Sequence, residues 1–125
     1  MSALEGVVSR FSAEAIPAQF TTTGKPITLH PEIEVTLLRA TQEALNNAHK
    51  HASASLVNVT LSYLNDTVIL DVEDNGVGLN ATSDPQKTGG YGLIAMRERV
   101  AQHGGQVHVE SEPNEGMTIA VTVPI

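Results

Sequence analysis

Glu43, Asn47 and Lys50 stand at positions i, i+4 and i+7 of the stretch Leu37 to Ala52, Leu-Leu-Arg-Ala-Thr-Gln-Glu-Ala-Leu-Asn-Asn-Ala-His-Lys-His-Ala. On a helix this spacing stacks a carboxylate, an amide oxygen and an ammonium in one column. At about 100° per residue, Leu37, Leu38, Thr41, Ala44, Leu45 and Ala48 fall in one broad arc beside that column, the width of a core-facing stripe. A carboxylate, an oxygen ligand and a cation at the rim of a buried stripe can handle a metal-bound phosphate. The competing reading is a solvated flank, with Lys50 and His51 suiting the dipole at the helix C-terminus.

Two glycine clusters lie further along. Asp74-Asn75-Gly76-Val77-Gly78 follows an alternating apolar segment, so a strand runs into backbone that can approach a ligand closely. Gly89-Gly90-Tyr91-Gly92 opens a second helical stretch, and free amides at a helix start form an anion site. A cluster of this kind is also a common turn. Neither the P-loop nor the Gly-x-Gly-x-x-Gly spacing is present.

The elements that must position these residues can be read in order. Leu4 to Ala15 has helical spacing at Leu4, Val7, Val8, Phe11 and Ala15, ended by Ile16-Pro17. Gln19 to Thr23 and Ile27 to His30 read as two short strands about the turn Gly24-Lys25-Pro26, and Pro31 suits the first turn of the central helix. Leu56 to Leu64 and Thr67 to Glu73 alternate and form a hairpin through Asn65-Asp66. Asn80 to Gly89 is polar and aperiodic, the pattern of a loop that can serve as a lid. Leu93 to His103 is a helix with Leu93, Met96, Arg97 and Val100 on one side, stopped by Gly104-Gly105. Gln106 to Ser111 and Met117 to Val123 make a second hairpin. The order implies one α+β domain over residues 1–125, a two-layer sandwich with a mixed sheet covered by helices on one face.

Composition bounds the function. A chain of 125 residues is the size of one domain. The absence of cysteine excludes thiolate metal sites and thiol catalysis. A net charge of −7 argues against a nucleic-acid binder, whose affinity comes from clustered Lys and Arg. No run approaches the roughly 20 apolar residues of a membrane span, and Met1 to Arg10 lacks signal-peptide features, so a cytoplasmic location is expected.

Taken together, the motifs resemble those of the GHKL ATPases, the superfamily of gyrase, heat-shock chaperone, histidine kinase and mismatch-repair nucleotide-binding domains. Glu43 to Ala52 resembles the N box, Asp74 to Gly78 the first glycine box, Gly90-Tyr91-Gly92-Leu93 the second, and Glu115-Gly116-Met117-Thr118 the last box. Within the superfamily, Gly-Leu-Ile-Ala-Met-Arg-Glu-Arg-Val from Gly92 to Val100 is similar to the nitrate-sensing and membrane-fluidity-sensing group of bacterial sensor histidine kinases. Ala95 departs from the glycine many members carry, and an effect on helix packing is expected.

The resemblance implies the Bergerat fold, ATP and Mg²⁺. It gives Asn47 to the metal, Lys50 to the phosphates, His51 to nucleotide binding, and Asp74, Gly76 and Gly78 to the base. Gly90 and Gly92 go to the lid and phosphates, Tyr91 and Leu93 beside them to nucleotide binding, Thr118 closes the base pocket, and Glu43 either orients or deprotonates a nucleophile or makes a structural hydrogen bond. Mg²⁺ takes few protein ligands beside waters and phosphate oxygens, so one amide oxygen suffices as an anchor.

No histidine among His30, His49, His51, His103 and His108 is followed by an acidic residue on a long helix, the family's phosphoacceptor pattern. The expected partners are therefore the dimerisation and phosphoacceptor hairpin of a parent kinase and a response regulator, with this domain monomeric when isolated. The rivals are a free-standing GHKL serine kinase of the anti-sigma type and a degenerate nucleotide-sensing module.

Overall fold

A computed structural model describes residues 2–50, 54–76, 90–112 and 116–125. Its elements are α1 (Ser2–Glu14), β1 (Ala18–Thr23), α2 (Pro31–Lys50), β2 (Val57–Tyr63), β3 (Thr67–Asp74), α3 (Gly90–Ala101), β4 (Gln106–Glu112) and β5 (Gly116–Pro124). The strands form one five-stranded sheet in the order β1-β2-β3-β5-β4, in which only β1 and β2 are parallel. This is the expected α+β architecture.

Strand alternation decides which face is covered. Val57, Val59, Leu61 and Tyr63 of β2 register against Asp74, Val72, Leu70 and Val68 of β3, and those against Met117, Ile119, Val121 and Val123 of β5. All are buried, whereas their neighbours in the strands, such as Thr60, Asp71, Glu73 and Thr122, are partly or fully exposed on the other face. The helices supply the second layer. Leu4 and Val8 of α1, Leu37, Ala44, Leu45 and Ala48 of α2, and Leu93, Met96 and Val100 of α3 complete the core. With few aromatics, the interior rests on side chains such as Leu61 and Leu70, fully buried and each contributing about 1.5 to 3 kcal/mol.

One expected element is corrected. Ile27 to His30 forms no strand, because β1 pairs with β2 in parallel and the connection must cross over the sheet. That segment instead delivers Leu29 to the core, 4% exposed, and leaves Ile27 in solvent. His30 then caps α2: its Nδ1 accepts the Glu32 amide at 3.2 Å and its carbonyl accepts the amides of Ile33 and Glu34. Pro31 takes the first helical position, where a missing amide hydrogen costs nothing.

The other ends follow local rules. The Ser12 hydroxyl accepts the Ala18 amide at 3.0 Å, turning α1 into β1. Past α3, the Gly105 amide bonds the Val100 carbonyl at 3.0 Å while Gly104 sits at φ +74, a left-handed helix stop. Arg97 crosses from α3 to donate to the Val107 carbonyl at 2.8 Å, tying the helix to edge strand β4. Among the described residues no helix is long and apolar enough to cross a membrane.

Candidate active site

The site is built where β3 ends. Alternation places Asp74 on the helix-covered face, and it is 6% exposed. Its Oδ1 accepts the Gly76 amide at 2.9 Å, a short side-chain turn that bends the chain out of the sheet. Burial raises the Asp74 pKa above its ordinary value; the amides of Gly76 and Met117 oppose that rise, and nearby Glu73 adds to it. A carboxylate has about four acceptor positions, so these two amides leave capacity for a ligand's amino group.

Asn75 has a separate task that its place in a glycine box does not announce. Its Oδ1 accepts the amides of Ser55 and Leu56, both at 2.9 Å, and its Nδ2 donates to the Ser55 hydroxyl at 2.9 Å. The segment entering β2 is thereby fastened to the exit of β3. Gly116 completes the corner from β5: at φ +93 it packs against the Asp74 carbonyl, where a side chain would overlap backbone.

Two helices face each other over the sheet. Asn47 is 4% exposed on α2, in the buried stripe and not merely at its edge. Glu43, one turn earlier, is half-buried, and its carboxylate occupies the space that a side chain at residue 92 would need. Gly92 therefore lets α3 approach the Glu43 carboxylate. A cleft of about 290 Å³ runs between the two helices, with Arg39 and Glu43 on one side and Gly92, exposed Ala95 and Arg99 on the other.

Several expected site residues are placed differently. Leu93 is 2% exposed and packs in the core. Thr118 registers against Glu73, out of phase with Asp74 along the sheet, although both residues line one cavity with Met117. The residue opposite Asp74 is Met117, 8% exposed, which the sequence reading passed over. Its phase with Ile119, Val121 and Val123 was the available signal. His51, Gly78 and the stretch Asn80 to Gly89 lie outside the described residues, as do the side chains of Lys50 and Tyr91; Gly90 opens α3.

The donor set bears on a metal. Among the described residues no three His, Cys, Asp or Glu side chains gather to hold a cation. One buried amide, Asn47, fits Mg²⁺ carried in with phosphates, since that ion keeps most of its shell as water and phosphate oxygen.

The perturbed carboxylate yields a measurable expectation. A folded-state pKa above the unfolded value means that the native protein holds the proton more tightly. The stabilisation from that proton is fully present below the unfolded pKa and is lost as pH rises through the folded one. At neutral pH ionised Asp74 is therefore a net cost, and Asp74→Asn, which keeps an acceptor for Gly76, is expected to melt higher than the parent. Thermal unfolding across pH checks this: the difference should shrink toward about pH 4, and a variant that melts lower at neutral pH would contradict it.

A buried acceptor at a strand end, a buried amide on the covering helix and a carboxylate held against a glycine-led helix are features of a nucleotide-dependent ATPase domain. The chain matches the model of the histidine kinase-, DNA gyrase B-, and HSP90-like ATPase family over residues 32–125 and belongs to that family. It is 36% identical over 114 residues to the sensor histidine kinase LnrJ of Bacillus subtilis (strain 168), covering 91% of this chain and 25% of LnrJ. It is 40% identical over 94 residues to the oxygen sensor histidine kinase NreB of Staphylococcus carnosus (strain TM300), covering 75% of this chain and 27% of NreB. The fold is also that of the histidine kinase domain from the Erythrobacter litoralis EL346 blue-light activated histidine kinase, with a TM-score of 0.79 at 20% identity over 97% of this chain and 58% of that one. The chain thus spans about a quarter of the length of the curated relatives it matches.

Proposed function

We propose that this chain presents Mg²⁺-ATP so that the γ-phosphoryl group passes to a histidine on a dimerisation hairpin of a parent sensor kinase, and from there to a response regulator. The observation that carries the reading is buried Asp74, whose carboxylate holds the Gly76 amide with acceptor capacity to spare, together with a buried amide, Asn47, on α2. The sensor histidine kinases among its relatives favour this over a free-standing serine kinase.

In this reading Asp74 accepts the adenine amino group and repels the carbonyl that guanine has in its place. Asn47 and Lys50 hold the metal-bound phosphates, and Mg²⁺, when bound, neutralises charge that builds on them. Glu43 orients the attacking imidazole and takes its proton. In the transfer the bond between the γ-phosphorus and the bridging oxygen breaks, a phosphorus–nitrogen bond forms, and ADP leaves. Phosphoryl transfer demands little covalent chemistry from protein; positioning and charge compensation carry it.

The test is radiolabelled ATP supplied to the chain alone and to the chain with a separately prepared hairpin from a kinase of this group. Acid-labile label is expected on the hairpin and none on the chain, which lacks an acceptor of the expected pattern. Label on the isolated chain, or none on any hairpin tried, counts against the proposal.

A further inference from the structure

The row of side chains across the end of the sheet is Val57, Asp74, Met117 and Ser111 on β2, β3, β5 and β4. All four share the helix-covered face, so Asp74 is a charged acceptor between two apolar neighbours, Val57 at 0% and Met117 at 8% exposure. Directly opposed residues of antiparallel strands hold their Cβ atoms about 4.5 to 5.5 Å apart, and Asp74 and Met117 line one cavity of about 470 Å³ at this end of the sheet. Thr118, the neighbouring hydroxyl on β5, is out of phase with Asp74 along the sheet.

From this we infer that Met117 is the specificity-determining residue of base recognition: its thioether forms the apolar wall beside the amino group bound by Asp74 and limits the size of substituent that group can carry. The inference rests on the proposal that Asp74 holds the adenine amino group. A secondary amine still offers Asp74 one N–H, so an N6-substituted adenine keeps the polar contact and is judged by the space beside it. Methionine is unbranched and fills irregular gaps, so shortening it opens room without removing a hydrogen bond. The Met117 backbone amide, which helps to hold the Asp74 carboxylate, is unaffected by a change of side chain.

The experiment titrates ADP and N6-benzyl-ADP by calorimetry into the whole chain and into Met117→Val and Met117→Ala. The quantity read is the ratio of the two affinities, which general loss of stability does not move in one direction. Wild type should prefer ADP, and the ratio should shift toward N6-benzyl-ADP in steps, with Met117→Ala gaining roughly 10-fold or more, the scale of a few methylenes in an apolar pocket. Should Met117→Ala fail to fold, Met117→Val, smaller than Met and suited to a strand, carries the comparison. An unchanged ratio, or loss of both ligands in both variants, overturns the inference. Asp74→Ala separates the two levels: if it weakens ADP while the Met117 ratio stays fixed, only Met117 is wrongly assigned; if ADP binds it undiminished, the reading beneath fails.

Discussion

Asn47→Ala is expected to lower phosphoryl transfer to a supplied hairpin by at least about 100-fold, the scale of losing several kcal/mol of charge stabilisation. Affinity for ADP in the absence of Mg²⁺ should change little. Asn47, the proposed metal anchor, lies on α2 at 4% exposure, and among the described residues no cluster of acidic or histidine side chains gathers to hold a cation in its place. Losing the one amide oxygen leaves the phosphates free to shift out of line with the nucleophile. In the proposed reading the adenine contact lies elsewhere, at the end of β3, so binding and transfer should separate. Alanine suits a helix interior, and the fold should survive the change. Radiolabel transfer beside metal-free calorimetry reads both quantities; a variant that transfers normally would remove Asn47 from the metal site.

Asp74→Ala is the second large effect, with ADP affinity expected to fall by roughly 10- to 150-fold, as losing a charged hydrogen-bond partner costs about 1.5 to 3 kcal/mol. The same variant should lose its discrimination against GDP, because the repulsion of a guanine carbonyl disappears with the carboxylate. Burial at 6% exposure makes the contact strong and also makes ionised Asp74 costly to the free protein. Stability and binding should therefore move in opposite directions when this charge is removed, as they do where a site is held at the expense of the fold. Equal ADP affinity in wild type and variant would place the base elsewhere. The Asp74→Asn melting experiment tests the other half independently.

Much of the fold was legible because its signals are local. The period of two in Val57 to Tyr63, Thr67 to Asp74 and Met117 to Val123 needs no partner to be seen, and it marks Asp74 as inward once Val68, Leu70 and Val72 are. The stripe from Leu37 to Ala48 marked α2 in the same way, and Gly104-Gly105 marked the stop of α3. What pairs with what is not local. Ile27 to His30 alternates acceptably, yet the parallel pairing of β1 with β2 requires a crossover there, and His30 becomes a helix cap.

The same distinction runs through the site. By itself the sequence determined a carboxylate at a strand end, an amide and a carboxylate a turn apart on one helix, and a glycine-led second helix, because residue type and spacing along one element suffice for these. Only the tertiary structure decided that Gly92 makes room for the Glu43 carboxylate, that Asn75 fastens the start of β2, and that Met117 instead of Thr118 stands across from Asp74. Each is a contact between separate elements. A one-residue change of register would turn every side chain of β5 to the other face, and that register is set by the packing of the whole sheet against its helices.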